Sequence, residues 1–325
     1  MPKPIPFFAC ITLALNLIGA PVLAQSAADY PTRRVTFIIP FTPGSSTEVA
    51  ARVYTNALTE NLQRQFVIDF KPGAGSTIGT NFVAKAPPDG YTLLFFTSSF
   101  LTSAAVYKNL PYDPIGDFAP VSLLSKRPLV LVVNPQLPFH SVKDYLAFVR
   151  ANPGKVNVST PGSGTASHFA SALLYSLTAT QVTFIHYKGG AGQLLDLIAG
   201  RNQATVVTLE SAMPHLKSGK LRPLGITTRE HIGTMPTLRP LAELGVPDYE
   251  YSGGLGVLAP RGTPRPIVQK LSGELARVAK SREVARRMEG SFMVGSPPEE
   301  LAESIAASIK RFKEIAREAG IASGD

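Results

Sequence analysis

Residues 34–62 read RVTFIIPFTPGSSTEVAARVYTNALTENL, and the order of side chains in this stretch decides the fold. From Arg34 to Ile39 polar and apolar residues alternate among β-branched and aromatic types, the pattern of a buried strand. Pro40 ends it, because proline brings no N–H to a ladder. Phe41-Thr42-Pro43-Gly44 is a small-residue loop, and Ser45-Ser46-Thr47-Glu48 has the spacing of a capping box. Beyond it Val49, Val53 and Ala57 fall on one helical line and Ala50, Tyr54, Leu58 and Leu62 on the next, a broad apolar stripe that needs a sheet to cover it. The stretch is one strand–loop–helix unit.

The unit recurs. Phe66 to Phe70 reads as strand, Lys71-Pro72-Gly73-Ala74-Gly75 as loop, Thr77 to Ala86 as helix, Pro87-Pro88-Asp89-Gly90 as turn and Tyr91 to Thr97 as strand. Such alternation predicts a mostly parallel sheet covered by helices. From Val121 to Val133 it gives way to two apolar extended runs broken at Lys126-Arg127-Pro128, as where a chain crosses between domains. It then restarts, with a capping box at Ser141-Val142-Lys143-Asp144, strands at Val156 to Ser159, Thr183 to His186 and Thr205 to Thr208, and helices at His168 to Leu177 and Gly192 to Ala199. After Tyr249 comes an apolar strand, Leu255 to Ala259. Thr263-Pro264 reads as an N-cap followed by proline at the first helical position, opening a helix that ends near Lys280. Ser296-Pro297-Pro298-Glu299 reads as the cap of a last helix ending near Ala319, and the C-terminal helices are expected to return to the first domain.

The expected organisation is a leader at residues 1–24, one α/β lobe from 25–125 plus 251–325, and a second from 126–250. Two crossovers make a hinge, and loops at the carboxyl ends of both sets of strands face one cleft.

The leader rests on Lys3, an apolar run from Ile5 to Ile18, and Pro21-Val22-Leu23-Ala24 before Gln25, the order of a secretory signal peptide cut after Ala24. The run is too short for a permanent anchor, so the mature protein is expected to be soluble and periplasmic. Cys10, the one cysteine, leaves with the leader, and a chain of this size buries enough surface to fold without disulfides. Loss of Lys3 lowers the formal charge from +9 to +8. Basic residues are spread along the chain in clusters no longer than pairs such as Arg33-Arg34 and Arg286-Arg287, with no aromatic platform, which argues against nucleic acid and fits small anions.

Five histidines, His140, His168, His186, His215 and His231, are scattered without metal-ligand spacing, so no metal site is expected. No cofactor is expected either. Gly73-Ala74-Gly75 and Gly162-Ser163-Gly164 begin like a dinucleotide fingerprint, but Ile78 and Ser167 stand where its third glycine belongs, and no glycine loop ends in Gly-Lys-Ser/Thr.

Four small-residue loops follow strands: Phe41 to Glu48, Thr97-Ser98-Ser99, Thr160 to His168, and Tyr187-Lys188-Gly189-Gly190. Glycine and serine at a helix start leave backbone N–H groups and partial positive charge for an anion, and equally make the caps that any α/β unit needs. The candidate ligand-binding residues are Phe41, Thr42, Ser45, Ser46, Thr47, Glu48, Thr97 and Ser98 from one lobe, with Thr160, Gly162, Ser163, Thr165, Tyr187 and Thr208 from the other. Glu48 either meets a ligand ammonium or hydroxyl or completes the capping box. Lys188 is a counter-charge to a ligand carboxylate or a solvated lysine. A secreted hydrolase is the alternative from another class, with His168 after a serine-rich loop, but no Gly-x-Ser-x-Gly elbow accompanies it.

At these loops the chain resembles the substrate-binding receptors of tripartite tricarboxylate transporters, the Bug or TctC-like family. The resemblance rests on Tyr30-Pro31, Ile39-Pro40-Phe41-Thr42-Pro43-Gly44, Lys71-Pro72-Gly73-Ala74-Gly75, Pro88-Asp89-Gly90-Tyr91-Thr92-Leu93-Leu94 and Leu110-Pro111-Tyr112-Asp113-Pro114. It continues through Pro128 to Pro135, Gly162-Ser163-Gly164-Thr165 with His168, Tyr187-Lys188-Gly189, Pro214 to Arg222 and Ala259 to Pro264. It implies a type II periplasmic-binding-protein fold, a small carboxylate held between two lobes through backbone groups and waters, no catalysis, and delivery by a monomer to separate membrane transporter subunits. A sensor presenting its ligand to a membrane kinase is the alternative partner. Two departures fall in the pocket the resemblance implies: Ser45-Ser46-Thr47-Glu48 where the family usually has glycines ending in Thr-Asp, and Val207 where it often has an acid. The ligand is therefore expected to differ from the common dicarboxylates, being aromatic or less polar.

Overall fold

A computed structural model describes residues 29–187, 190–233, 235–288, 290–318 and 320–321; the expected signal peptide, Lys188 and Gly189 lie outside the described residues. The first half holds β1 (Val35–Ile39), α1 (Ser46–Leu62), β2 (Phe66–Phe70), α2 (Thr77–Ala84), β3 (Thr92–Thr97), α3 (Ser98–Val106) and β4 (Phe118–Val133). It continues with α4 (Val142–Ala151), β5 (Asn157–Thr160), α5 (Ala166–Leu177), β6 (Thr183–His186), α6 (Gly190–Ile198), β7 (Ala204–Thr208), α7 (Leu209–Lys217) and β8 (Arg222–Ile226). The chain closes with β9 (Ser252–Pro260), α8 (Arg265–Ala279), α9 (Arg282–Arg287), β10 (Phe292–Met293) and α10 (Pro298–Glu318).

Among the described residues the ten strands form one hydrogen-bonded sheet, eight of them in the path β2-β1-β3-β9-β4-β7-β5-β6 and β8 and β10 off it, each on β4. The pairs β1·β2, β1·β3, β5·β6 and β5·β7 are parallel, as the alternation requires, whereas β4 is antiparallel to β7, β8, β9 and β10. The expected break at Lys126-Arg127-Pro128 is absent, and β4 runs through it. Its partners change there instead: Pro128 is the last residue opposite β9, and Leu129 is the first opposite β7. The N–H that proline lacks falls where the ladder changes hands, which is how a proline survives inside a long strand.

Each half of the path has its own apolar layers. Phe37, Tyr54, Phe95 and Leu271 pack on one face of β1, β3 and β9, and Ile38, Leu94, Phe100 and Leu258 on the other. Around β5 and β7, Val158, Phe169 and Val206 pack on one face and Leu194, Leu197 and Val207 on the opposite one. This is a mixed α/β arrangement of two lobes joined through strands, with a cleft between them.

The stripe on α1 is narrower than expected. Ala50, Ala51, Val53, Tyr54 and Leu58 are buried while Val49 is 60% exposed; at about 100° per residue Val49 lies some 40° outside that arc. Two caps also differ. Thr263 Oγ1 donates to Pro260 O (2.7 Å), and Pro264 itself is the cap of α8. Ser296 Oγ accepts Leu123 N–H (3.0 Å), tying the C-terminal segment to β4. Helix α10 does more than return to the first lobe. Leu301, Ile305 and Ile309 pack with Leu94 and Phe100, but Phe312, Ile315 and Ala316 pack with Tyr251 and with Phe169 of the second.

Candidate functional site

The four loops read from the sequence all follow a strand and enter a helix. Those after β1 and β3 are neighbours, because Ile38 pairs with Leu94 three residues before Thr97. Those after β5 and β6 are joined where Tyr187 N–H donates to Thr160 O (2.9 Å). Thr208 ends β7, the strand next to β5. The two sets stand on opposite sides of β4: Thr97 pairs with Leu255, which pairs with Ser125, whereas Thr208 pairs with Leu129. Among the described residues no hydrogen bond joins the two sets.

At α1, Ser45 Oγ accepts Glu48 N–H (3.3 Å), and the Glu48 carboxylate accepts Gly44 N–H (2.7 Å) and pairs with Arg52. The capping box thus closes one residue early, onto Gly44. That N–H, and then Arg52, hold the Glu48 carboxyl below its ordinary range. Thr42 is exposed, Phe41 packs at the edge of the core, and Thr47 is buried. Thr97 caps α3 by accepting Ser99 N–H (3.2 Å), and buried Ser98 Oγ accepts Gly254 N–H (2.7 Å) from β9. In Ser45, Thr97 and Ser98 the oxygen accepts, so each hydroxyl hydrogen is left for another partner.

The second lobe uses its hydroxyls differently. Thr165 caps α5, accepting His168 N–H (3.4 Å) while donating to Gly162 O (2.8 Å). Fully buried Thr160 lies 2.7 Å from His186 Nδ1 and accepts Gly162 N–H (3.4 Å). Gly164 N–H donates to His168 Nδ1 (3.1 Å). Burial, with His186 adding to it, pushes the His168 pKa down to about 4, so the ring is neutral at pH 7. Ser163 is exposed, and no acid stands in the first turn of α3, α5 or α6. Tyr187 OH donates to Asp196 Oδ2 (2.7 Å) and accepts from Asn202 Nδ2 (2.8 Å), which commits the hydroxyl within the protein. Thr208 pairs with Ser211 (2.8 Å).

Val207 was expected in the pocket, but its side chain is in the core with Leu194 and Leu197, because residues alternate along β7 and the odd-numbered ones face α6. Sequence reasoning also missed a polar junction at the hinge. Buried Arg127 donates from Nε to Glu210 Oε1 (2.9 Å), the same oxygen accepts Ser291 Oγ (2.6 Å), and Glu210 Oε2 is buried without a partner. Its signal was Arg127 next to Lys126 inside a long, mostly apolar strand. Away from the loops, a shallow depression of ≈ 530 Å³ runs along α2, lined by residues including Lys71, Ile78 and Phe82.

A mixed α/β fold of two lobes with loops at the carboxyl ends of its strands is that of the periplasmic solute-binding proteins, as similar solved structures show. The R. palustris protein solved with adipate is 36% identical, covers 90% of this chain and 99% of its own, and superposes with TM-score 0.85. The periplasmic binding protein BugD (29% identical, 90% and 99% covered, TM-score 0.82) and MatC from Rhodopseudomonas palustris with bound malate (29%, 88% and 99%, 0.80) are similar too. Residues 50–321 match the family described as the tripartite tricarboxylate transporter family receptor, and BugT of Bordetella pertussis is 34% identical over 314 residues, 95% of each chain. The chain belongs to this TctC/Bug receptor family, whose members are solute-binding receptors rather than enzymes.

Proposed function

We propose that the protein is exported by the leader at residues 1–24 and works in the periplasm as a monomer. Its lobes, residues 25–125 plus 251–325 and residues 126–250, close on a small carboxylate, which it delivers to the membrane subunits of a tripartite-type transporter. The observation that carries this reading is the start of α5: an exposed Ser163 between two glycines, at a helix N-terminus with no acid in its first turn. There the first-turn N–H groups have no intrahelical acceptor and the helix dipole favours an anion. Hydroxyl hydrogens of Ser45, Thr97 and Ser98 supply donors from the facing lobe. The adipate and malate bound to two similar structures support a carboxylate as ligand class.

The test is a thermal-shift screen of residues 25–325, stripped of carried-over ligand, against mono-, di- and tricarboxylates, aromatic acids and amino acids. A ligand at a hundred times its Kd adds about 2.7 kcal/mol to stability. A saturable shift with an acid, diminished in Ser163→Ala, is the expected outcome. Shifts confined to neutral compounds sink the reading.

A further inference from the structure

The loop that opens α5 is held by hydrogen bonds more than by packing. Gly162 (φ 153°) and Gly164 (φ 70°) both have positive φ, a region other residues avoid, and a Cβ at Gly164 would meet no heavy atom within 4 Å. Nothing steric therefore fixes Gly164. Its N–H is fixed by one acceptor, Nδ1 of His168, one turn into α5 (3.1 Å). That ring is itself immobilised: it is 6% exposed, with the rings of Phe184 and His186 on β6 each 4.7 Å away between centroids. Ser167, the residue before it, donates from Oγ to Val206 O, docking the first turn of α5 on β7.

An imidazole nitrogen that accepts an amide N–H carries no proton, so the neutral ring here is protonated at Nε2. We propose that His168 is a positioning residue for the ligand loop: as the Nε2-protonated neutral imidazole it accepts Gly164 N–H and holds Gly162–Thr165 in the shape that receives the ligand. This rests on the carboxylate-receptor reading for its purpose, though not for its geometry. Thr165, donating to Gly162 O, and Thr160, accepting Gly162 N–H, fix the other glycine. Both glycines are thus pinned from behind while Ser163 stays exposed in front. Preordering a two-glycine loop removes a conformational cost that ligand binding would otherwise bear.

The experiment compares the wild type with His168→Asn, whose amide oxygen can stand in for Nδ1, and His168→Phe, which fills the space without an acceptor. Amide hydrogen exchange at Gly164 is the ligand-independent arm. The wild type and His168→Asn should protect this N–H, while His168→Phe should exchange it at least about tenfold faster at matched global stability, the scale of one lost hydrogen bond. Equal exchange in all three overturns the proposal. Should the phenylalanine variant not fold, the ¹⁵N spectrum of the wild-type imidazole still decides: a proton on Nδ1 overturns the proposal, and a bare Nδ1 upholds it. In the second arm, titration with adipate should give His168→Phe about three- to tenfold weaker binding and leave His168→Asn near the wild type. A wild type that binds no carboxylate at all defeats the receptor reading and leaves the exchange arm to judge His168.

Discussion

Replacing Arg127 by methionine tests the hinge junction. The Arg127 side chain is 6% exposed and that of Glu210 19%, so the pair is largely out of water. Burial alone would raise the Glu210 carboxyl, but Arg127, together with the Ser291 hydroxyl, outweighs it and holds the pKa below the ordinary value. Removing one partner of such a pair costs about 3–5 kcal/mol. Because Ser291 still donates to the carboxylate and some exposure persists, the low end, about 3 kcal/mol, applies, a fall of about 6 °C in melting temperature for a chain this long. The pH dependence carries the mechanism. In the wild type the lowered pKa gives stability that is present above the unfolded value and lost as pH falls. In Arg127→Met the desolvation is opposed by the Ser291 hydroxyl alone among side chains, the pKa rises, and stability is lost as pH increases through it. The deficit measured by urea unfolding should therefore be largest near neutral pH and shrink on acidification as Glu210 takes a proton, and the double variant Arg127→Met/Glu210→Leu should recover more than half of it. A deficit equal at every pH and equal in single and double variants would mean that Arg127 contributes packing alone.

Two further outcomes follow from the same structure. Phe312→Ala in α10 removes a buried ring stacked on Tyr251 (5.4 Å between centroids) and tilted against Phe169 (5.7 Å); it should destabilise by about 3–5 kcal/mol in denaturant melts. Glu48→Gln loses the charge that faces Gly44 N–H and Arg52, so its melting temperature should lie below the wild type at pH 7 and converge with it in acid, where the wild-type carboxyl is also neutral.

The strands at 35–39, 66–70 and 183–186 were legible because short alternating runs of β-branched and aromatic residues between prolines, glycines and polar loops have few other uses. Helix α3 was not, since Ser98-Ser99 at its start reads as loop when the cap, Thr97, is also the last residue of a strand. Helix α7 was hidden by Pro214 in its interior. The continuity of β4 through Pro128 depends on a change of partner that local pattern does not carry. At the candidate site, the four loops could be read from glycine and serine following strands. What each hydroxyl bonds to could not: Tyr187 meets Asp196 and Asn202 across a helix, and Arg127 meets Glu210 83 positions away, contacts made only once the sheet is assembled.

The most direct test of the central claim is a calorimetric titration of stripped protein, residues 25–325, with adipate and, in parallel, with adipamide, which keeps the chain length and replaces both carboxylates by neutral amides. Saturable one-to-one binding of the acid is expected, with at least about tenfold weaker binding of the amide, since a charge-assisted hydrogen bond is roughly twice as strong as a neutral one. Equal affinity for the two, or binding of the amide alone, would contradict a cleft built to hold an anion at a helix start.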